Sequence, residues 1–283
     1  MPSLSERRIL VTGATGGIGT ALVKRLDAEG ASLWLAGRDE GKLSALAGEL
    51  GKAASRHTLV AGIDLTTAMG RQRLLDQLGQ TAPEQRPSTL VHLAGINHLG
   101  WFRETSPDDV TRVLDTNLSS TLLLTQALLP LFLGQPSANL LFVGSLLGHI
   151  GHPGYVAYCA SKAGLKGFAE ALSRELEDTS VQVQYLAPRA TRTAMNGPDA
   201  EAMNEALGNT VDSPERVADA IITQLTSGQR RAALGGKERL FALINAIAPT
   251  LVDRAIARSR ADISRHLDPP AQVRNTGLLL LLR

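Results

Sequence analysis

The chain has 283 residues, of which 43% are hydrophobic and 20% charged, and its formal net charge is +2. This composition excludes global disorder, permits a sizeable core, and gives no electrostatic case for a nucleic-acid partner. The single cysteine, Cys159, excludes an intrachain disulfide framework and a multi-cysteine zinc site, and fits a reducing, cytoplasmic setting.

The N-terminus reads as lacking a signal peptide, and no stretch approaches the ~20 apolar residues of a membrane span. Short apolar runs at 9–13, 32–37, 58–64, 89–95, 139–145 and 181–188 predict buried strands, with a weaker seventh at 230–235. They are continuous rather than alternating, as strands covered on both faces should be. Amphipathic stretches at 17–29, 39–50, 67–80, 107–117, 118–133, 155–177 and 213–226 predict helices between them. Ser106 and Ser213 each precede a proline and an acidic residue, which gives an N-cap with Pro at the first helical position. The alternation predicts an α/β fold, a doubly wound parallel sheet of about seven strands with helices on both faces.

The first strand runs into Thr12-Gly13-Ala14-Thr15-Gly16-Gly17-Ile18-Gly19. Glycines on a strand-to-helix turn permit a tight bend and close backbone approach to a pyrophosphate at a helix N-terminus. Gly13, Thr15, Gly16, Gly17, Ile18 and Gly19 are therefore candidate dinucleotide-binding residues. The absence of a following Gly-Lys-Ser/Thr disfavours an NTPase. Strand 2 ends Ala36-Gly37-Arg38-Asp39. Arg38 stands where a cation accommodates a ribose 2′-phosphate, so NADP(H) is the expected cofactor and NAD(H) the alternative. Asp39 reads as a helix N-terminal charge. Asp64 is placed to accept from an adenine amino group, with Leu65 against the ring; the plainer alternative for Asp64 is a turn or N-cap aspartate.

The segment Tyr158-Cys159-Ala160-Ser161-Lys162 sets a phenol and an ammonium four residues apart, on one helix face, in a chain with only 3 tyrosines. With it, the chain resembles the short-chain dehydrogenase/reductase family in its single-domain form over roughly residues 7–235. The resemblance rests on TGATGGIG at 12–19, DL at 64–65, LAG at 93–95, Asn117, GS at 144–145, YCASK at 158–162 and P-x-x-T-x-T from Pro188 to Thr193. It implies that Tyr158 exchanges a proton with the substrate oxygen, that Ser145 holds that oxygen, that Lys162 bonds the nicotinamide ribose, and that Asn117 positions a relay water. A free phenol has a pKa near ~10, so work near neutrality calls for a downward shift of up to ~3 units, for which Lys162, with the positive nicotinamide of the oxidised complex, is the expected source. Ala94, Gly95, Pro188, Thr191 and Thr193, with Tyr158 and Lys162, are further implied cofactor contacts, and no metal is implied. Two departures stand out: His92-Leu93 replaces the family's paired asparagines, and Arg189 replaces the glycine after Pro188, near the expected nicotinamide amide.

Residues 191–212 fall where the family carries a mobile lid, and Met195 and Met203 suit either an apolar pocket or the core. His149 and His152 read as loop residues that shape the pocket, and Cys159 as a packed bystander. One dinucleotide-binding catalytic domain is expected over 1–235, with a C-terminal helical extension and tail of the same domain over 236–283. In that extension Leu240, Leu243, Ile244, Ile247, Leu251 and Val252 form an apolar stripe beside Arg239, Arg254, Arg258 and Arg260. A cap over the pocket, a subunit contact and a weak membrane-surface helix are the competing readings, and the Leu278–Leu282 run could add to the last two. The family reading implies an NADP(H)-dependent oxidoreductase acting on a small carbonyl or alcohol, a homodimer or homotetramer built through 107–133 and 155–177. The alternatives are a reductase of acyl-chain 3-oxo substrates and a cofactor-binding sensor or scaffold with little turnover.

Overall fold

The apolar runs form a seven-stranded parallel sheet in the computed structural model, which describes residues 3–268. The strands are β1 Arg8–Thr12, β2 Ser32–Ala36, β3 Thr58–Val60, β4 Thr89–His92, β5 Ala138–Val143, β6 Val181–Ala187 and β7 Arg231–Ala233. Their order is β3-β2-β1-β4-β5-β6-β7. The chain therefore reverses direction across the sheet between β1 and β4, and a crevice opens at their C-terminal ends. Thr12 pairs with both Ala36 and His92, so three strand ends finish level at that crevice. β3 is shorter than its apolar run because Gly62, at φ +66°, turns the chain; the Ile63 N–H then bonds to the Gly37 carbonyl.

Helices cover both faces: α1 Gly17–Ala28, α2 Glu40–Glu49, α3 Ala68–Gly79, α4 Pro107–Leu114, α5 Ser120–Leu133, α6 Val156–Glu175, α7 Pro198–Ala206, α8 Pro214–Ser227, α9 Lys237–Ile247, α10 Pro249–Arg258 and α11 Arg260–Leu267. Ser106 and Ser213 cap α4 and α8 through bonds from the Asp109 and Arg216 N–H groups. The continuous strand runs find two cores. Leu10, Leu90, Leu140 and Phe142 point to one face, against α3, α5 and α6. Ile9, Val11, Val91, Leu141 and Leu186 point to the other, against α1, α2 and α8. Alternate side chains of each strand are thus buried on opposite faces, which is why the sequence shows no polar alternation.

The two helices expected at 107–117 and 118–133 form one run, joined by a wide turn of π type at Asp115–Ser119. The run from Pro107 to Leu133 has 27 residues and an 18-residue window of mean hydropathy 1.3, long and apolar enough to cross a membrane, contrary to the expectation that no segment is. Its buried side chains Leu124, Leu128 and Phe132 pack in the sheet's core, the behaviour of an interior helix. Residues 191–212 are more ordered in pattern than a bare loop, since α7 lies within them. The Leu278–Leu282 run lies outside the described residues.

Candidate active site

The glycine loop is a packing solution before it is a binding one. Gly13 has φ +67°, and a side chain there would put its Cβ 2.7 Å from the Ala94 nitrogen. A Cβ at Gly19 would lie 2.2 Å from the Gly13 carbonyl oxygen. Only hydrogen fits at either place, so α1 starts flush against the end of β1. Thr12 ties the next strand end to the loop, its Oγ1 accepting from the Leu93 and Ala94 N–H groups at 3.2 and 3.3 Å. Gly16 sits at the N-cap of α1, where no side chain caps the helix. The first amides of α1 thus face the crevice with the polarity that favours an anion.

Around this loop opens a cleft of about 950 Å³. Every predicted cofactor contact lines it: Gly13, Thr15, Gly16, Gly17, Ile18, Gly19, Arg38, Asp64, Leu65, Ala94, Gly95, Pro188, Thr191 and Thr193. Arg38 is exposed at the rim. Burial raises the Asp64 pKa, but the two hydrogen bonds from Thr66 and, least of the three, the charge of Arg38 hold it below the usual carboxylate value. Asp64 also has the plainer role: its Oδ1 accepts from the Thr66 N–H at 3.0 Å and from the Thr66 hydroxyl at 2.7 Å. Asp39 caps α2, accepting from the Lys42 N–H at 2.9 Å.

Ser145, Tyr158 and Lys162 line the same cleft. Ser145 follows β5 and opens a short turn, its Oγ accepting from the Leu147 N–H at 3.1 Å. Tyr158 and Lys162 sit one turn apart on α6. The Lys162 ammonium lies 5.7 Å from the centre of the Tyr158 ring and donates to the Val143 carbonyl at 3.2 Å. Burial lowers the Lys162 pKa to about 8. Burial pushes Tyr158 up to about 12, with the Ser145 hydroxyl beside the phenol opposing it. The downward shift expected from the sequence belongs to the complex with the oxidised cofactor; in the chain alone, desolvation dominates.

Asn117 does not line the cleft. It is fully buried in the π-type turn. Its Oδ1 accepts from the Ile96 N–H at 2.8 Å, while its Nδ2 donates to the Ile96 carbonyl at 2.9 Å and to Ser161 Oγ at 3.1 Å. A Cβ at Gly95 would stand 3.2 Å from Asn117 Oδ1 and 3.8 Å from Lys162 Nζ. Asn117, Gly95 and Lys162 thus converge, and the bare Gly95 leaves the space between the amide and the ammonium open.

Both departures find a structural account. His92 is buried, stacked on Phe142 at 4.9 Å, and its Nε2 meets the Thr125 hydroxyl at 3.1 Å. Burial lowers its pKa to about 3, so the ring is neutral. Arg189 lines the cleft and grips Asp212 with two nitrogens, at 2.9 and 2.8 Å, and Glu238 at 3.1 Å. This joins the end of β6 to the 191–212 segment and to α9. Met195 and Met203 both line the cleft, Met203 fully buried and Met195 at its exposed edge.

Several lining residues went unnoticed in the sequence. Ile96, Asn97, Tyr155 and Phe241 line the cleft, as do Ile256 and Ile263 of α10 and α11. Tyr155, one turn before Tyr158, carried a usable signal; the others arrive through tertiary packing that no local pattern encodes. His152 lines the cleft, whereas His149 lies behind it with its main-chain carbonyl bonded by Asn245. Cys159 is buried and its thiol pKa is raised by that burial, as a packed bystander's would be.

The family profile for short chain dehydrogenase matches residues 7–204. Nodulation protein G of Rhizobium sp. (strain N33) is 34% identical over 208 residues, covering 73% of this chain and 82% of its own. The 3-oxoacyl-[acyl-carrier-protein] reductase FabG of Rickettsia bellii (strain RML369-C) is 28% identical over 226 residues, 78% of this chain and 90% of its own. A short-chain dehydrogenase from Sphingobium yanoikuyae, solved in complex with NADPH, superposes with a TM-score of 0.72 at 25% identity, covering 87% of this chain and 96% of that one. The chain belongs to the short-chain dehydrogenase/reductase family, and is an oxidoreductase of that family.

Proposed function

We propose that the protein is an NADP(H)-dependent reductase of a carbonyl substrate, with Tyr158 as the general acid. The observation that carries this is that Ser145, Tyr158 and Lys162 line the same cleft as the glycine loop. At neutral pH a phenol with a pKa of about 12 holds its proton, and it faces the same cleft as the glycine loop. A proton-bearing Tyr158 is poised to give that proton to a developing alkoxide, which is what reduction requires. Ser145 orients the substrate oxygen toward the phenol. Lys162, charged below its pKa of about 8, stabilises negative charge arising on that oxygen. Asn117 fixes the strand-end segment at Ile96 on one side and the α6 backbone region at Ser161 on the other, and holds a proton-relay position beside Lys162.

The glycine loop fits a dinucleotide: its backbone lies open where any Cβ at Gly13 or Gly19 would intrude. Gly13 to Gly19 would cradle the pyrophosphate, Asp64 and Leu65 the adenine, and Thr191 and Thr193 the nicotinamide end. Bound there, the cofactor supplies the hydride. Arg38, an exposed cation at the rim, supports the 2′-phosphorylated form, and the likeness to a relative solved with NADPH adds to that reading. The likeness to a 3-oxoacyl reductase and the apolar lining by Met203, Ile256 and Ile263 favour a carbonyl on an extended apolar chain. The single cysteine supports a cytoplasmic setting, and exposed Leu123, Leu133 and Val156 on α5 and α6 support a homo-oligomer. We place residues 1–235 and the 236–283 extension in one domain, because α9 to α11 help line its cleft.

The test is titration with NADPH and NADH, read by cofactor fluorescence, on the native chain and Arg38→Ala. Tighter NADPH binding that Arg38→Ala erases is the expected result. Equal affinity in both proteins would remove the NADP(H) preference. Failure of either cofactor to bind would favour the scaffold reading.

A further inference from the structure

Helices α9 and α10 carry two different faces. Inward, Phe241, Ala255 and Ile256 line the cleft. Outward, Leu240, Leu243 and Ile247 recur at spacings of three and four along α9, and Leu251 continues the stripe into α10. Their exposures are 59%, 56%, 76% and 54%, high for side chains of this kind. Ten large hydrophobic side chains are exposed among the described residues, and four of them fall in the run 240–251. Such concentration marks a contact surface rather than ordinary surface scatter.

The rim of this stripe is basic. Lys237, Arg239, Arg254, Arg258 and Arg260 are exposed, against the acids Glu238 and Asp253. Glu238 is ion-paired with Arg189, which it shares with Asp212. An excess of cations around an aliphatic stripe repels a second copy of itself and attracts an anionic surface. Leucine and isoleucine on one side with arginine beside them is the pattern of a helix lying at a lipid interface.

We propose that the outer face of α9 and α10 docks on an anionic lipid bilayer. The inner face of the same helices walls the cleft, so docking would set the cleft beside lipid-borne carbonyl compounds with apolar chains. The choice of substrate rests on the reductase reading above; the docking does not.

The experiment is co-sedimentation of the full chain with phosphatidylcholine vesicles, with and without phosphatidylglycerol, at low and high salt. The native protein should pellet with the phosphatidylglycerol vesicles and be released by salt. Leu243→Glu/Ile247→Glu should lower the bound fraction at least about tenfold, and Arg254→Glu/Arg258→Glu should remove the dependence on phosphatidylglycerol. Both changes are at exposed positions, and thermal melting checks that the variants fold. Turnover of a water-soluble carbonyl should be unchanged in both. Two results overturn the proposal: no binding by the native chain, or equal binding by the Leu243→Glu/Ile247→Glu variant, which would assign lipid affinity elsewhere. Sedimentation velocity supplies a third: if the double variant falls apart into smaller species and the native chain ignores vesicles, the face belongs to a second copy. Vesicle binding needs neither cofactor nor turnover, so it can fail while the reductase reading stands, and the reverse.

Discussion

The Tyr185 hydroxyl occupies the space a side chain at position 144 would need: a Cβ on Gly144 would lie 2.1 Å from the Tyr185 oxygen and 2.3 Å from its ring carbon. Tyr185 is buried in β6, its hydroxyl against the Ser145 main chain and without a side-chain partner among the described residues. The phenol therefore fills the space beside Gly144 and Ser145. Gly144→Ala should destabilise the fold by about 2 kcal/mol through overpacking. Gly144→Ala with Tyr185→Val should recover much of that. Urea denaturation of the four proteins in the cycle measures the coupling, and additive effects would show that the two positions do not compete for space.

Replacing Tyr158 with phenylalanine removes the proton donor while keeping the ring on α6. Turnover should fall about 10²- to 10⁴-fold, the usual worth of a positioned acid, with cofactor binding retained. Loss of binding as well would mean that the phenol acts mainly as a cofactor contact.

The pH dependence of reduction follows from two groups. Tyr158, at about 12, remains protonated across the working range. Lys162, at about 8, loses its charge as pH rises through that value. The reductive rate should therefore be level below pH 8 and decline above it. A rate that climbs through pH 8 would remove the charged ammonium from the mechanism.

The same buried ammonium has a stability signature. Its pKa falls from 10.5 when unfolded to about 8 in the fold. Between those values the unfolded chain binds the extra proton, so stability rises with pH across the window and is lower by about 3 kcal/mol below pH 8. Lys162→Met should abolish turnover and raise the melting temperature at pH 7. A lower melting temperature would show that the bond to the Val143 carbonyl outweighs desolvation.

His92 titrates in the acid limb. Its pKa is depressed from 6.5 to about 3, so its contribution is fully present above pH 6.5 and is lost as pH falls toward 3. The slope is about 1.4 kcal/mol per pH unit at most. His92→Asn should flatten the stability profile between those values, measured by denaturation at several pH values.

The strands were legible because continuous apolar runs have few other uses, and the glycine loop because its spacing answers to sterics. Tyr158 and Lys162 were legible as an i, i+4 pair, but the rise in the Tyr158 pKa in the chain alone was not. It depends on burial by segments as distant as α11, whose Ile263 joins the cluster at Tyr155 and Cys159. The partners of Arg189 were not legible because they lie 23 and 49 residues further on. The π-type turn that carries Asn117 had no local sequence mark at all; it exists because the Asn117 amide answers both backbone groups of Ile96.

The sheet order also sets a timetable for the growing chain. Ile9 pairs with Thr89, and Gly13 packs on Ala94. When the glycine loop leaves the ribosome, at residue 19, the backbone that shapes it has not yet been synthesised. At ~5–20 residues per second that interval is several seconds. Until then β1 can pair only with β2, and its other edge stays open to whatever strand it meets. Cofactor competence and protection from misassembly would thus arrive together, late in synthesis, and a chaperone that shields residues 8–12 would act in that interval.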